Sequence, residues 1–148
     1  MKTTWIAFTL MVCLSFTACG ADSPAVGTWV LDGEATLKSF EENPPKDLPP
    51  QAMDPVKGMI KSMTGTMTMK ADGTFEGVMG MPNPMTGEVK SQNAKGTWTL
   101  EGEKFSITTT EQDGKVDETP DTETAVLKDG VITVTPGGAP FKVFFKKQ

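Results

Sequence analysis

The sequence predicts a mainly β chain, an antiparallel meander of eight to nine strands closing as a barrel, with a helical insert between the first and second strands. Three observations predict it. Apolar residues recur with period two from Ala25 onward, and short Gly-containing turns break that alternation at close intervals. One connection, from Leu31 to Thr66, is too long for a structureless loop and carries helical periodicity instead.

The strands are expected at Val26 to Leu31, Thr66 to Lys70, Thr74 to Gly80, Gly87 to Ser91, Gly96 to Leu100, Lys104 to Glu111, Glu123 to Lys128, Val131 to Thr135 and Phe141 to Lys146. Between them lie Ala71-Asp72-Gly73, Glu101-Gly102-Glu103, Gln112-Asp113-Gly114, Lys128-Asp129-Gly130 and Thr135-Pro136-Gly137-Gly138, whose Asp, Gly and Pro residues suit tight hairpins. The stretch Gln112 to Thr122 reads as a solvated hairpin end. Closing such a meander into a barrel removes its exposed edges.

Alternation also assigns faces. Met67 and Met69 oppose Thr66, Thr68 and Lys70; Phe75, Gly77 and Met79 oppose Thr74, Glu76 and Val78. Trp98 and Leu100, Phe105, Ile107 and Thr109, and Phe141, Val143 and Phe145 fall on corresponding faces of later strands. One face is rich in Met, Phe, Trp and Ile and the other in Thr and charge, as an apolar barrel interior requires.

In the long connection, Asp54-Pro55 offers an N-cap and a first-turn proline, and Val56, Met59, Ile60 and Met63 follow at i, i+3, i+4 and i+7. A second helix is expected from Asp32 or Gly33 to Glu42, ended by Asn43-Pro44-Pro45, with a Pro-rich stretch through Pro50 carrying the chain onward. The insert, about residues 33–63, is expected to cover one opening or flank of the barrel.

The N-terminus carries a different message. Lys2 precedes the uncharged apolar run Trp5 to Phe16, too short to span a bilayer as a helix and of the length of a signal-peptide core. Phe16-Thr17-Ala18-Cys19-Gly20 then resembles the bacterial lipobox, with Phe where Leu is usual and Cys19 as the residue to be lipidated. The division that follows is a signal peptide at 1–18, a lipidated tether at 19–24 and the barrel domain at 25–148. Cleavage before Cys19 would leave 130 residues with a formal charge of −6, no disulfide, and a stable anchor made of several acyl chains. Gly20, where Asp would favour inner-membrane retention, favours the outer membrane in a two-membrane cell. The expected location is therefore the bacterial cell envelope.

Composition excludes much chemistry. The 148 residues hold no His, no Tyr and fourteen basic residues, all of them Lys, against nineteen acids. No imidazole means no Ser-His or Cys-His nucleophile and no His-ligated zinc, and no Arg means no bidentate clamp for phosphate. A formal charge of −5 argues against nucleic acid. Neither Ser-x-x-Lys nor Gly-x-Ser-x-Gly occurs, and the acid pairs match no calcium loop. The expectation is a non-enzyme with no cofactor and no metal site. Eight of the ten Met lie between Met53 and Met85, which raises Cu(I) binding through thioethers as a lesser reading beside ordinary core filling.

Gly27-Thr28-Trp29 at the start of the first strand, with Phe141 to Lys147 closing the meander, resembles the lipocalin-like (calycin) barrels. Thr64 to Phe75 and Gly96 to Leu100 look like the small lipocalin-like domains of exported bacterial proteins. The resemblance implies that Gly27 and Trp29 form the closed barrel end, with Lys142, Lys146 or Lys147 laid across the Trp. It further implies a small apolar ligand or lipid as partner, bound without chemistry. The candidate lining is Met67, Met69, Phe75, Met79, Trp98, Phe105 and Ile107. Two readings of the interior stay open: a hollow barrel that holds a ligand, and a side-chain-filled barrel serving as a structural or protein-interaction module whose partner the sequence does not name.

Overall fold

A computed structural model describes residues 22–83, 86–138 and 140–148; the segment expected to be a signal peptide, and Cys19, lie outside them. Eight antiparallel strands follow one another around a closed barrel: β1 (Gly27–Leu31), β2 (Thr64–Met69), β3 (Thr74–Pro82), β4 (Val89–Glu101), β5 (Lys104–Gln112), β6 (Lys115–Lys128), β7 (Val131–Val134) and β8 (Val143–Lys147). Two helices, α1 (Gly33–Glu42) and α2 (Pro50–Ser62), fill the connection between β1 and β2. The ring closes where β8 pairs with β1, placing Trp29 opposite Lys147 and Leu31 opposite Phe145.

The hairpins follow from their turn residues. Asp113-Gly114 and Asp129-Gly130 each place two consecutive residues at positive φ, the backbone of the two-residue turns whose twist matches that of paired strands. In the β2–β3 turn the Asp72 carboxylate accepts bonds from both the backbone N–H and the hydroxyl of Thr74, at 2.9 and 2.6 Å.

Three differences from the sequence expectation exceed a shift of one or two residues at a strand end. Gly87–Ser91 and Gly96–Leu100 are not two strands: β4 runs unbroken from Val89, and a bulge between Lys95 and Gly96 carries it across the polar stretch. The stretch expected to be a solvated hairpin end belongs largely to β6, which begins at Lys115. Helix α2 begins at Pro50 rather than at Pro55, which instead lies inside the helix. Pro50 takes the first helical position, where a missing N–H costs nothing, while Pro55 gives up one internal backbone bond.

The two ends of the barrel are built differently. At one end lie the start of β1, the end of β8 and the β2–β3, β4–β5 and β6–β7 turns, and here the interior is solid. Trp29, Met69, Trp98, Phe105 and Ile132 are all essentially inaccessible. The Trp29 indole donates to Ala25 O at 2.8 Å, and the Trp98 indole donates to Lys70 O and Thr74 O, each at 3.0 Å. Lys147 supplies the cation across Trp29: its Nζ lies 5.6 Å from the ring centroid and donates to Pro24 O at 3.1 Å. Gly27 makes room for it, because a Cβ there would lie 2.8 Å from Lys147 Cε, and its φ of +135° suits glycine alone.

The opposite end carries the helical insert. Asp32 caps α1 by accepting the Ala35 N–H at 3.1 Å. Helix α1 packs on β8, with the Phe40 ring edge-on to Phe141 at 5.5 Å. Helix α2 runs beside α1 and leads into β2 through Met63.

Candidate functional site

Near the helical end the interior is not filled. A cavity of about 250 Å³ lies among β2 to β8, walled by Met67, Phe75, Met79, Ile107, Val143 and Phe145 and reached by Met63 from the end of α2. Glycines shape its floor. The Phe75 ring lies across Gly77 and Gly96; a Cβ at Gly96 would come within 2.8 Å of the ring and collide with the Thr108 carbonyl. Small residues on β3 and β4, Gly77 and Ala94, leave the adjacent space open.

Four of the seven lining residues proposed from the sequence, Met67, Phe75, Met79 and Ile107, border this cavity. Met69, Trp98 and Phe105 do not. They sit in the solid end, where Trp98 and Phe105 rings pack 6.0 Å apart. Alternation identifies which face a side chain takes but not how far along the barrel axis it sits, and the strand tilt of a closed barrel sets that depth.

Several lining residues lacked a sequence signal as site residues. Met81 follows Met79 at period two on β3, which continues to Pro82 rather than stopping at Gly80. Ala94, Thr109 and Glu123 also border the cavity. Glu123 pairs with Ile107 and Asp121 with Thr109, so the two acids share the inward face of their β5 partners. Methionines 63, 67, 79 and 81 all border the one space, lining it with flexible, polarisable thioethers.

The wall beside Glu123 is incomplete. Strand β7 ends at Val134, opposite Ala125, while β6 continues back to Lys115 with β5 as its only strand partner among the described residues. The cavity therefore reaches the surface between β6 and the Pro136–Gly138 turn that follows β7. A second chamber, of about 290 Å³, shares Met79, Met81, Ala94, Thr109 and Glu123 with the first and adds Gln92, Asn93, Gln112 and Asp121. Apolar space thus passes into polar space along one line.

A larger depression of about 670 Å³ lies where α1 leaves β1, bordered by Asp32, Glu34, Lys61 and Lys146. Two of its charges, Asp32 and Lys146, are paired with each other. Asp32 accepts the Ala35 N–H and lies 3.4 Å from Lys146 Nζ. The capping bond, helped by Lys146, holds the Asp32 carboxyl below the usual aspartate range against the opposing effect of burial. This depression has the features of a helix junction.

No protein-family model matches the chain, and no curated protein does.

Proposed function

We propose that this chain is a lipid-anchored protein of the bacterial envelope that binds a small apolar ligand inside a lipocalin-like barrel and performs no chemistry on it. The observation that carries the reading is the cavity itself. It is lined almost entirely by apolar side chains, and at about 250 Å³ it exceeds the ~150 Å³ apolar cavity that accepts a benzene while falling just short of the ~300 Å³ at which drug-sized pockets begin. A ligand of a ring or a short alkyl chain fits that range. The absence of His and Arg from the whole sequence supports binding over catalysis. The lipobox-like Phe16 to Gly20 supports the anchor.

Native mass spectrometry of the purified protein tests the binding reading. A co-purifying lipid or small apolar molecule, lost in Ala94→Phe, is the expected result. If no apolar probe binds and Ala94→Phe changes nothing, the reading fails. Cys19→Ser should release the protein from membranes, and unchanged fractionation would sink the anchor.

A filled-barrel interaction module remains the second reading, favoured by the solid end around Trp29, Trp98 and Phe105. Binding to a protein partner that survives Ala94→Phe would favour it.

A further inference from the structure

Resting on the reading of the cavity as a binding site, we infer that its ligand is an amphiphile with a cationic head, an alkylammonium rather than a fatty acid. The inner chamber is apolar, and its path to solvent passes Glu123, which borders both chambers. Asp121 borders the outer one, on the same inward face through its pairing with Thr109. No lysine among the described residues borders either chamber. Among the described residues neither carboxylate takes part in an ion pair, although Glu41, Glu42, Glu76, Glu103, Glu111 and Asp32 all do.

An apolar tail placed against Met67, Phe75 and Ile107 therefore leaves its polar end beside two uncompensated negative charges. A carboxylate head would meet like charge there, whereas an ammonium would be attracted. Both acids are solvent-exposed, so each contact is weak and screened by salt. Two weak attractions in place of two weak repulsions amount to roughly a tenfold preference at low ionic strength.

The test compares octyltrimethylammonium, octanol and octanoate as competitors of a neutral fluorescent naphthylamine on the full-length protein, alongside Glu123→Gln/Asp121→Asn. The expected result is that octanol binds and the ammonium binds about tenfold more tightly than octanoate at low salt. That preference, each affinity being taken relative to octanol on the same protein, should shrink several-fold at 0.5 M salt and disappear in the double variant. Equal affinity for ammonium and carboxylate, or a preference that persists in the double variant, overturns the inference and leaves the apolar cavity standing. Failure of all three compounds to compete overturns the cavity reading together with it.

Discussion

The hydroxyl of Thr36 accepts the backbone N–H of Phe144 at 3.2 Å, joining the middle of α1 to the strand that closes the barrel. Ser39, one helical turn on, accepts the N–H of Lys142 at 2.9 Å, and Asp32 N–H donates to Phe144 O at 2.7 Å. Strand β1 ends at Leu31, opposite Phe145, so among the described residues β8 has no strand partner on that side from Phe144 backward. Helix α1 takes over where β1 stops, with two buried hydroxyls supplying acceptors that a strand would have supplied as carbonyls. Here a helix completes a barrel seam.

Thr36→Val keeps the shape and removes the acceptor, leaving the Phe144 N–H without its partner. Thr36 is 1% exposed, so water has poor access and the loss should be about 1–3 kcal/mol by urea unfolding. Thr36→Ser should retain most of the stability. A loss below about 0.5 kcal/mol for the valine variant would mean the bond contributes little to the seam.

At the other end, Gly27→Ala should cost about 1–3 kcal/mol, because φ of +135° is strained for any residue with a Cβ. Lys147→Ala alone should cost about 0.5–1 kcal/mol, through loss of the cation over Trp29. Combining them separates backbone strain from the close approach of Lys147 Cε. The Gly27→Ala penalty should largely persist in the Lys147→Ala background, and its disappearance there would identify side-chain contact as the cause.

Sequence patterning made the core-forming parts of the strands legible and left the projecting parts illegible, for a single reason. Phe105, Ile107, Ala125 and Leu127 alternate because one of their faces is buried. The stretches Gln92 to Lys95 and Lys115 to Thr122 show no run of alternating apolar residues: they extend past the core toward the cavity mouth, so their composition does not mark them as strand. Helix α2 was legible in its apolar stripe, Val56 to Met63, but its start was not: Asp54-Pro55 carries a capping signal, whereas the helix begins at Pro50 behind Pro49, which makes no side-chain cap. At the site, the inward face could be read for Met67 and Trp98 alike. Only the three-dimensional stagger places Met67 at the cavity and Trp98 in the solid end.

The projecting part of β6 also explains its composition. Residues 115–124 offer an edge that no strand among the described residues covers, and such edges invite pairing between molecules. Asp117, Glu118, Asp121 and Glu123 lie along it, and Pro120 removes a backbone donor at the point where the β5–β6 register shifts. Replacing Glu118 and Pro120 together by Thr and Val should move the protein toward larger species in sedimentation velocity. Sedimentation identical to that of the parent protein at matched concentration would show that these residues do not guard the edge.

Asp32 gives the fold a specific acid sensitivity. Its carboxyl lies below the usual aspartate range in the folded chain because it accepts the Ala35 N–H, with Lys146 adding a smaller contribution from a side chain that is 62% exposed. A lowered folded-state pKa means that the carboxylate stabilises the fold above the unfolded-state value, and that this contribution is lost as pH falls below about 4 and through the folded-state value. Asp72 and Glu76 are held low as well, by the Thr74 hydroxyl and by Lys70, so the parent protein loses stability in acid from several groups at once. Asp32→Asn isolates one of them, since Asn caps a helix about as well without a charge to titrate. It should stay within about 0.5 kcal/mol of the parent at pH 7, while Asp32→Ala falls by about 1 kcal/mol. Between pH 5 and pH 2 the Asn variant should lose less stability than the parent. Parallel acid-unfolding curves for the two would assign the sensitivity to the exposed carboxylates of the barrel wall instead of the helix cap.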